Sequence, residues 1–413
     1  MSGESLFTTV IPVFNKWELT RACLVSLKEH SRMPFDVVVT DNGSSDETVA
    51  GLEPLGRELF GERFQRIRFD ENKNFSRGCN AGAAASKTPL LFFLNNDTLM
   101  TPDWDVPLLR AMEDRPDIGG VGPLLLYEND TVQHLGVTFT PLGVAHLYKG
   151  FPAGHPLVGK RRKFQAITAA ALLMRKSLFF EHQGFYQGFR NGFEDVDLCL
   201  RIHATGRHFV CVPESRVYHL ESRTPGRMDH EDHNVRLATE RFMDLAKTDE
   251  HLFAKDDGFV PFVDDLLSIS MRLPEKEEAA LTRQAAGKGW EYILNLAVTP
   301  PLWVGGRLQL ALELEKRSQF AEAVEIRADT ADILHSEQSY RDLLRCATLG
   351  KVEKFRERAV ERLHRIGELK SSPDLAAAIC NTVFKKAAHH KDRELAEMFV
   401  GKFESMFPEI RRA

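Results

Sequence analysis

The sequence lacks the features that are typical of zinc-binding or redox proteins, of secreted proteins and of nucleic-acid-binding proteins. Its six cysteines are scattered and form no CxxC pair, which argues against a zinc site or a redox dithiol and for a reducing compartment. The first residues show no basic segment followed by an apolar stretch, so no signal peptide is expected. A net charge of −5 indicates neither nucleic acid nor an anionic membrane as a partner. We therefore expect a cytoplasmic protein, with peripheral contact to a membrane-borne substrate left open.

Long apolar runs are also missing. The longest covers residues 89–94, far short of the about 20 residues that a membrane helix needs. With 413 residues and 43% hydrophobic side chains, the chain is long enough for two domains with ordinary globular cores. We place their boundary at residue 250.

The first domain, residues 1–250, alternates β-branched runs with helical patterns, which is typical of an α/β fold with a mainly parallel sheet. Predicted strands cover residues 7–13, 35–40, 66–69, 89–94, 168–174 and 208–212, and predicted helices cover residues 17–30, 76–86 and 196–205. The region from 132 to 175 adds further strands, so the sheet is expected to be mixed.

The second domain, residues 251–413, is predicted to be all-α. From residue 307 to 407 nearly everything has helical periodicity, and helix pairs begin near Leu308, Leu343 and Ala377. This spacing is close to that of a tetratricopeptide repeat, although the repeat residues match poorly. The pattern predicts an array of helical hairpins and leaves open whether they are tetratricopeptide repeats.

Polar side chains follow two of the predicted strands. Asp41 ends the second strand, and Asn95, Asn96 and Asp97 follow the fourth. Ligands of open parallel sheets bind beyond the carboxyl ends of the strands, so both positions are candidates for a binding site. Taken singly, each also fits a helix cap or an Asx turn.

Several segments, in this order, resemble glycosyltransferase family 2, especially its rhamnosyltransferase-like and O-antigen-type members. They read TTVIPVFN, VVVTDNGSSDET, ENKNFSRGCNAGAAAS, LLFFLNNDTLMTPDW, VQHLG, NGFEDVDLCLRIHATG and VPESRVYHLES. The resemblance covers about residues 6–225. It implies a GT-A fold, the Rossmann-like fold of nucleotide-diphospho-sugar transferases, and transfer of a sugar from a nucleotide-diphosphate donor.

The resemblance places the donor at the end of the first strand. Pro12, Val13 and Phe14 would form an apolar slot for the base, and Asp41 would accept a hydrogen bond from a pyrimidine nitrogen. The alternative is that the first three pack the strand end while Asp41 caps a helix. Arg77 would pair with phosphate or support the aspartates of the site.

The segment around Arg77 departs from the family pattern. Many relatives show Gly-Phe where this chain has Asn74 and Phe75.

Asn95, Asn96 and Asp97 occupy the place of the family's Asp-x-Asp metal motif. Asp97 is the expected ligand of Mg²⁺ or Mn²⁺, which prefer oxygen ligands and share them with substrate phosphates. Asn95 stands in place of the first carboxylate, so we expect weak metal binding without nucleotide. His219 matches the distal histidine that completes the coordination in the family.

Glu194 and Asp195 open the helix that carries the EDVDLCLR motif. The resemblance implies that Asp195 is the general base and that Glu194 orients the acceptor, although both also suit a helix N-terminus. Asp197 is expected to make a structural ion pair with Arg201, four residues on.

The polar stretch from residue 220 to 234 follows the candidate metal ligand His219. It contains a glycine and several charges, and it is interpreted as a lid over the donor phosphates. Arg223 or Arg227 would reach into the site from this lid.

The function expected from these residues is inverting hexosyl or deoxyhexosyl transfer in surface polysaccharide or glycolipid assembly. The partners would be a UDP- or dTDP-sugar and a saccharide or lipid-linked acceptor, and the helical domain could form homo-oligomers. One alternative is a nucleotidyltransferase, but residues 11–17 lack the glycine-rich phosphate loop that such enzymes carry. Another is a sugar-nucleotide-binding scaffold in which the helical half docks partners.

Overall fold

The computed structural model describes residues 3–113, 115–220, 230–243, 245–298 and 302–410. It divides into two compact units. The N-terminal unit comprises residues 1–138 and 145–246, and the C-terminal unit comprises residues 139–144 and 247–413. The lid interpretation of residues 220–234 falls largely outside the described residues, since 221–229, with Arg223 and Arg227, are not among them.

Up to residue 246 the chain alternates strands and helices, as the sequence predicts. The strands are β1 (Phe7–Val13), β2 (Phe35–Asp41), β3 (Phe64–Arg68), β4 (Leu90–Leu94), β5 (Thr98–Met100), β6 (Ile118–Leu126), β7 (Val132–His134), β8 (Val137–Phe139), β9 (Val144–His146), β10 (Lys163–Phe164), β11 (Ala171–Arg175) and β12 (His208–His219). The helices are α1 (Trp17–His30), α2 (Thr48–Phe60), α3 (Asn74–Ala85), α4 (Asp105–Met112), α5 (Lys176–Glu181), α6 (Glu194–His203) and α7 (Glu231–Ala238).

One mixed sheet forms the frame of the N-terminal unit. Its strand order is β10-β12-β6-β11-β4-β1-β2-β3, with β5 paired to β12 and β7 paired to β6. The four strands at one side, β4-β1-β2-β3, are parallel, and β11 runs antiparallel between β4 and β6. The predicted mixed sheet is therefore confirmed.

The candidate site residues reach the same edge of this sheet because the parallel strands share a direction. Val13 ends β1 in register with Asp41 at the end of β2, which is in turn in register with Arg68 of β3. On the far side β12 is longer than predicted. A bulge between Val212 and Arg216 lets it continue to His219 instead of stopping at Val212.

Aromatic side chains fill the core beneath the sheet. Trp104 is buried and stacks on Phe92 of β4 with ring centroids 4.5 Å apart, and it meets the ring of Phe7 edge-on at 6.0 Å. Its indole Nε1 donates to Ser31 Oγ at 3.0 Å, so the one polar atom of the ring keeps a partner. These contacts fix the end of α1 and the start of α4 against β1 and β4.

The C-terminal unit is mainly helical. Beyond residue 247 the elements are α8 (Glu250–Asp256), β13 (Val260–Val263), β14 (Ile269–Arg272), α9 (Glu275–Ala285), α10 (Trp290–Val298), α11 (Val304–Lys316), α12 (Phe320–Leu334), α13 (Glu337–Gly350), α14 (Glu353–Ser371), α15 (Pro373–His390) and α16 (Arg393–Met406). Neighbouring helices from α11 to α16 pack on one another. The antiparallel pair β13 and β14 was not predicted.

Side-chain caps explain where three helices of this array begin. The side chains of Ser336, Ser372 and Asp392 accept hydrogen bonds from backbone N–H groups in the first turns of α13, α15 and α16. The pairs begin at residues 304, 337 and 373, a few residues before the predicted starts. Among the described residues no helix has the length and hydropathy needed to cross a membrane.

Trp104→Ala should destabilise the protein by about 3–5 kcal/mol, because it opens a cavity beneath the sheet and removes the stacking on Phe92. Urea unfolding followed by far-UV circular dichroism measures the change. Trp290→Ala is the matched control, since Trp290 is 42% exposed and its loss should change stability by less than about 0.5 kcal/mol. Equal effects of the two substitutions would contradict the core assigned to Trp104.

Candidate active site

The ends of β4 and β12 meet through the short strand β5. Asn95, Asn96 and Asp97 turn the chain from β4 into β5, and β5 pairs antiparallel with β12 so that Thr98 lies opposite His219. The backbone N–H of Leu220 donates to the Asp97 carbonyl oxygen at 2.8 Å. Because this pairing fixes the residue before β5, it sets Asp97 beside His219, although 122 positions separate them in the sequence (219 − 97).

Asp97, His219 and Asn95 form a compact cluster. Asp97 Oδ1 lies 3.1 Å from His219 Nε2, and Asn95 Nδ2 lies 3.2 Å from the same nitrogen. Burial raises the pKa of Asp97, but the adjacent imidazole lowers it, and the pKa lies below its ordinary value. Asn96 is directed elsewhere, since its Nδ2 donates to Thr20 Oγ1 of α1 at 2.8 Å. The structure therefore brings together the two predicted ligands, Asp97 and His219, with Asn95 beside them and Asn96 turned away.

The residue types of this cluster are ones that can bind a divalent cation. Asp97 Oδ1 is buried and has no hydrogen-bond partner of good geometry among the described residues. Within the same residues no group of three or more His, Cys, Asp or Glu side chains gathers as a metal site. A carboxylate, an imidazole nitrogen and an amide oxygen fit a cation that takes its other ligands from phosphates.

Asp195 lies at the N-terminus of α6 and remains partly exposed. Its Oδ2 accepts a hydrogen bond from Ala169 N at 2.9 Å, and its Oδ1 accepts one from Val196 N at 2.9 Å. The next residue, Ala170, accepts a hydrogen bond from Asn95 N at 2.9 Å through its carbonyl. Asp195 is thus linked to the Asp97 cluster by two adjacent residues that lead into β11.

Glu194 occupies a different environment from its neighbour. Its side chain is buried, and burial together with the Glu194 charge raises the pKa of the Cys79 thiol of α3. The Glu194 side chain is therefore buried at the N-terminus of α6, whereas the Asp195 side chain is partly exposed to solvent.

Left-handed backbone conformations mark the loops around these strand ends. Asn15 and Lys16 follow β1 with φ of 55° and 60°, Asn74 opens α3 with φ of 68°, and Phe193 precedes α6 with φ of 71°. Such values are uncommon for lysine and phenylalanine, and strained residues of this kind cluster at functional sites. The charge of Lys16 also helps to lower the pKa of Asp97, which the sequence pattern did not indicate.

Asp41 is held inside the protein. Its Oδ2 pairs with Arg66 at 2.5 Å and with Arg68 at 2.7 Å, and its Oδ1 accepts from Ser44 N at 2.8 Å. Burial raises the pKa of Asp41, but Arg66 and Ser44 lower it below the ordinary range. With a fully buried side chain, Asp41 serves here to hold two arginines at the strand ends. Its predicted hydrogen bond to a base stays a prediction.

The remaining donor candidates are spread along the same edge. Pro12 and Val13 are buried, whereas Phe14 is 43% exposed beyond β1. Arg77 lines a cavity of about 380 Å³. Its other lining residues are Glu71, Asn72, Lys73, Asn74, Gln187, Gly188, Arg190 and His233. Neither Asp97 nor His219 borders this cavity.

Asp197 makes the predicted ion pair. Its Oδ2 lies 2.8 Å from Arg201, and Arg241 adds a second pair at 2.8 Å to Oδ1. Asp197 is therefore a structural residue that ties α6 to the segment after α7.

Sequence reasoning missed the side chain that holds His219. Gln133 of β7 is buried, donates through Nε2 to the His219 carbonyl oxygen at 2.9 Å, and contacts His219 Nδ1 through Oε1 at 2.6 Å. Its neighbour His134 accepts a hydrogen bond from Thr168 N at 3.2 Å through Nε2. Both lie in the VQHLG segment, whose role the sequence left open.

Comparison with known proteins gives the family. Residues 8–178 match the family described as Glycosyl transferase family 2. These 171 residues (178 − 8 + 1) are the part of the chain that matches the family. The family predicted from the motifs is confirmed, and with it the GT-A fold of the N-terminal unit followed by a mainly helical part.

The chain spans less than a third of the length of the two curated relatives described next. It is 31% identical over 249 residues to the uncharacterized protein y4gI of Sinorhizobium fredii, covering 58% of this chain and 27% of the relative. It is 31% identical over 230 residues to the O-antigen biosynthesis protein RfbC of Myxococcus xanthus, covering 53% of this chain and 18% of the relative.

Solved structures resemble the chain only loosely. A mannosyltransferase from Pyrobaculum calidifontis, in complex with GDP-Man and Mn²⁺, has a TM-score of 0.43 at 14% identity, covering 89% of this chain and 87% of that one. TarS 1–349 of S. aureus in complex with UDP has a TM-score of 0.41 at 14% identity, covering 88% and 90%.

Asp41→Asn should destabilise the protein by about 2–4 kcal/mol at pH 7, because it leaves Arg66 and Arg68 without their carboxylate. The folded pKa of Asp41 lies below its unfolded value of about 3.9, so its stabilisation is present above that pH and is lost as the pH falls through the folded pKa. The difference between wild type and variant, measured by urea unfolding at pH 7, 5 and 3, should therefore shrink at pH 3.

Asp70→Asn is the control, because Asp70 is exposed just beyond β3 and its loss should cost less than about 0.5 kcal/mol. A gap between wild type and the Asp41 variant that stays constant down to pH 3 would show that the carboxylate charge is not what holds the two arginines.

Proposed function

We propose that this chain transfers a sugar from a nucleotide-diphosphate donor to an acceptor hydroxyl, with inversion at the anomeric carbon and with the help of Mg²⁺ or Mn²⁺. The donor would be a UDP- or dTDP-sugar and the acceptor a saccharide or a lipid-linked saccharide. The match to glycosyltransferase family 2 supports the reaction class. The O-antigen relative supports a role in surface polysaccharide or glycolipid assembly.

The observation that carries the proposal is the contact of Asp97 with His219 at the edge where the parallel strands end. A carboxylate oxygen and an imidazole nitrogen 3.1 Å apart, with Asn95 next to them, offer a cation two or three ligands, and phosphate oxygens would supply the others. When bound, the cation would neutralise charge on the departing nucleotide diphosphate. Asp97, His219 and Asn95 would hold it there.

Asp195 is the proposed general base. In the reaction, the acceptor oxygen forms a bond to the anomeric carbon as the bond from that carbon to the diphosphate breaks, and the leaving diphosphate keeps the electron pair. The proton of the acceptor hydroxyl passes to Asp195, whose carboxylate is partly exposed and is held by Ala169 N. Glu194 would shape the floor beneath the acceptor, since its side chain is buried.

The donor end is proposed to lie over the ends of β1 and β2. The exposed ring of Phe14 would cover the base, with Pro12 and Val13 beneath it. Arg77 and the other cations of its cavity would face phosphate or an anionic acceptor group. The domain 251–413 would recruit partners or form homo-oligomers, and the cytoplasmic location and membrane contact expected from the sequence stay predictions.

Mn²⁺ together with one nucleotide family should raise the melting temperature. Saturation at about 100 times Kd stabilises the native state by about 2.7 kcal/mol, which corresponds to about 5–10 °C for a domain of this size. A thermal-shift screen of UDP, dTDP and GDP, each with Mn²⁺ and with EDTA, measures the effect. Asp97→Asn should remove the metal-dependent part of the shift. If no nucleotide shifts the wild type, the donor assignment is wrong.

Asp195→Asn should reduce transfer by at least about a hundredfold, because the amide cannot take the acceptor proton. Its carbonyl oxygen still accepts from Ala169 N, so donor and Mn²⁺ binding should stay within about threefold of wild type. Release of nucleotide diphosphate with an added acceptor measures transfer, and the thermal shift measures binding. Loss of both together would assign Asp195 a structural role instead. Binding without turnover in the wild type would favour a scaffold.

A further inference from the structure

The hydrogen bonds of His219 fix which of its nitrogens carries the proton. The Gln133 amide donates through Nε2 to the His219 carbonyl oxygen, which can only accept. This contact determines the orientation of the amide, so Oε1 is the atom that faces His219 Nδ1 at 2.6 Å. An amide oxygen can only accept, and Nδ1 must therefore hold a hydrogen. In the neutral imidazole the lone pair is then on Nε2, which is the nitrogen beside Asp97.

The strand pairing in the sheet explains why the Gln133 side chain reaches His219. Strand β7 pairs with β6 across a register shift, where Leu125 faces His134 and Leu126 faces Val132. Gln133 is the extra residue of this bulge, and bulges redirect side chains next to active sites. Strand β6 ends at Leu126, opposite Tyr218 of β12, so His219 extends one residue beyond it.

We propose that Gln133 is a positioning residue for the cation site. Through its two hydrogen bonds to His219, it keeps the ring oriented and keeps the lone pair of Nε2 on the side of the cation site, where Asn95 Nδ2 lies 3.2 Å from this nitrogen and a bound cation would take its place. Partners of this kind on the far nitrogen of a metal-binding histidine set its tautomer, and their loss typically weakens metal affinity by about 10–100-fold. The inference rests on the proposed function, because it assumes that His219 is a ligand.

His134, the residue after Gln133, connects the same bulge to the segment that holds Asp195. His134 accepts from Thr168 N through Nε2, so its proton lies on Nδ1, which faces His146 Nδ1 at 2.7 Å. The backbone N–H of Ala169, the residue after Thr168, donates a hydrogen bond to Asp195. The dipeptide 133–134 therefore contacts both the end of β12 and the segment that leads to the proposed base.

The test compares Gln133→Met, which keeps the length and removes both hydrogen bonds, with Gln133→Glu, which keeps an acceptor for Nδ1–H and loses the donor. With UDP present, Gln133→Met should weaken Mn²⁺ binding about 10–100-fold, and Gln133→Glu should lie between it and wild type. The free Mn²⁺ signal in electron paramagnetic resonance measures the affinity, and UDP binding in EDTA should be unchanged in both variants. Wild-type Mn²⁺ affinity in Gln133→Met would overturn the proposal.

A double-mutant cycle separates positioning from a general structural role. If Gln133 acts through His219, the substitution Gln133→Met should have no further effect on Mn²⁺ affinity once His219→Ala is present. A full additional loss on that background would contradict the inference.

Spectra of protein labelled with ¹⁵N-histidine supply a measurement that needs no cation. In the wild type the His219 ring should carry its hydrogen on Nδ1, and Gln133→Met should move part or all of it to Nε2. The wild type could show the expected hydrogen on Nδ1 and yet fail to bind Mn²⁺. That result would overturn the proposed cation site and leave the Gln133 contact intact. A wild-type hydrogen on Nε2 would overturn the Gln133 proposal itself.

Discussion

The antiparallel pairing of β5 with the end of β12 is the constraint on which the candidate site depends. Asp97 precedes β5 and His219 ends β12, and only the register that sets Thr98 opposite His219 places the two side chains in contact. Side-chain direction alternates along a strand, so a slip by one residue would turn the carboxylate away from the imidazole. Strand β12 reaches that position only because its bulge allows it to continue past Pro213.

Much of the N-terminal fold could be read from the sequence because its signals are local. Strand β1 and helix α1 have the predicted bounds, and β4 differs from its prediction by one residue, since apolar runs bounded by turn residues mark such elements clearly. The contact of Asp97 with His219 was also predicted, but from a family pattern. Nothing local to either residue indicates that the two side chains meet.

What the sequence did not predict depends on pairing between distant strands. Arg66 and Arg68 are two residues apart in β3, so the sequence places both side chains on one face of the strand. That Asp41 is their shared partner follows only from the register between β2 and β3. Gln133 was missed because a bulge redirects its side chain, and a bulge has no reliable sequence sign. The hairpin of β13 and β14 was missed because each strand is only four residues long and lies among helical patterns.

The residues with left-handed backbone conformation around the strand ends determine where substitutions could raise the stability of this protein. A lysine or phenylalanine in that conformation costs about 1–2 kcal/mol, and glycine would relieve most of it. Selection for heat tolerance would therefore favour glycine at Lys16, whose φ is 60°, but not at Phe193, whose ring packs against Phe189 and Phe242. The same change would let the loop after β1 sample more conformations, so more heat-tolerant variants would tend to have lower activity.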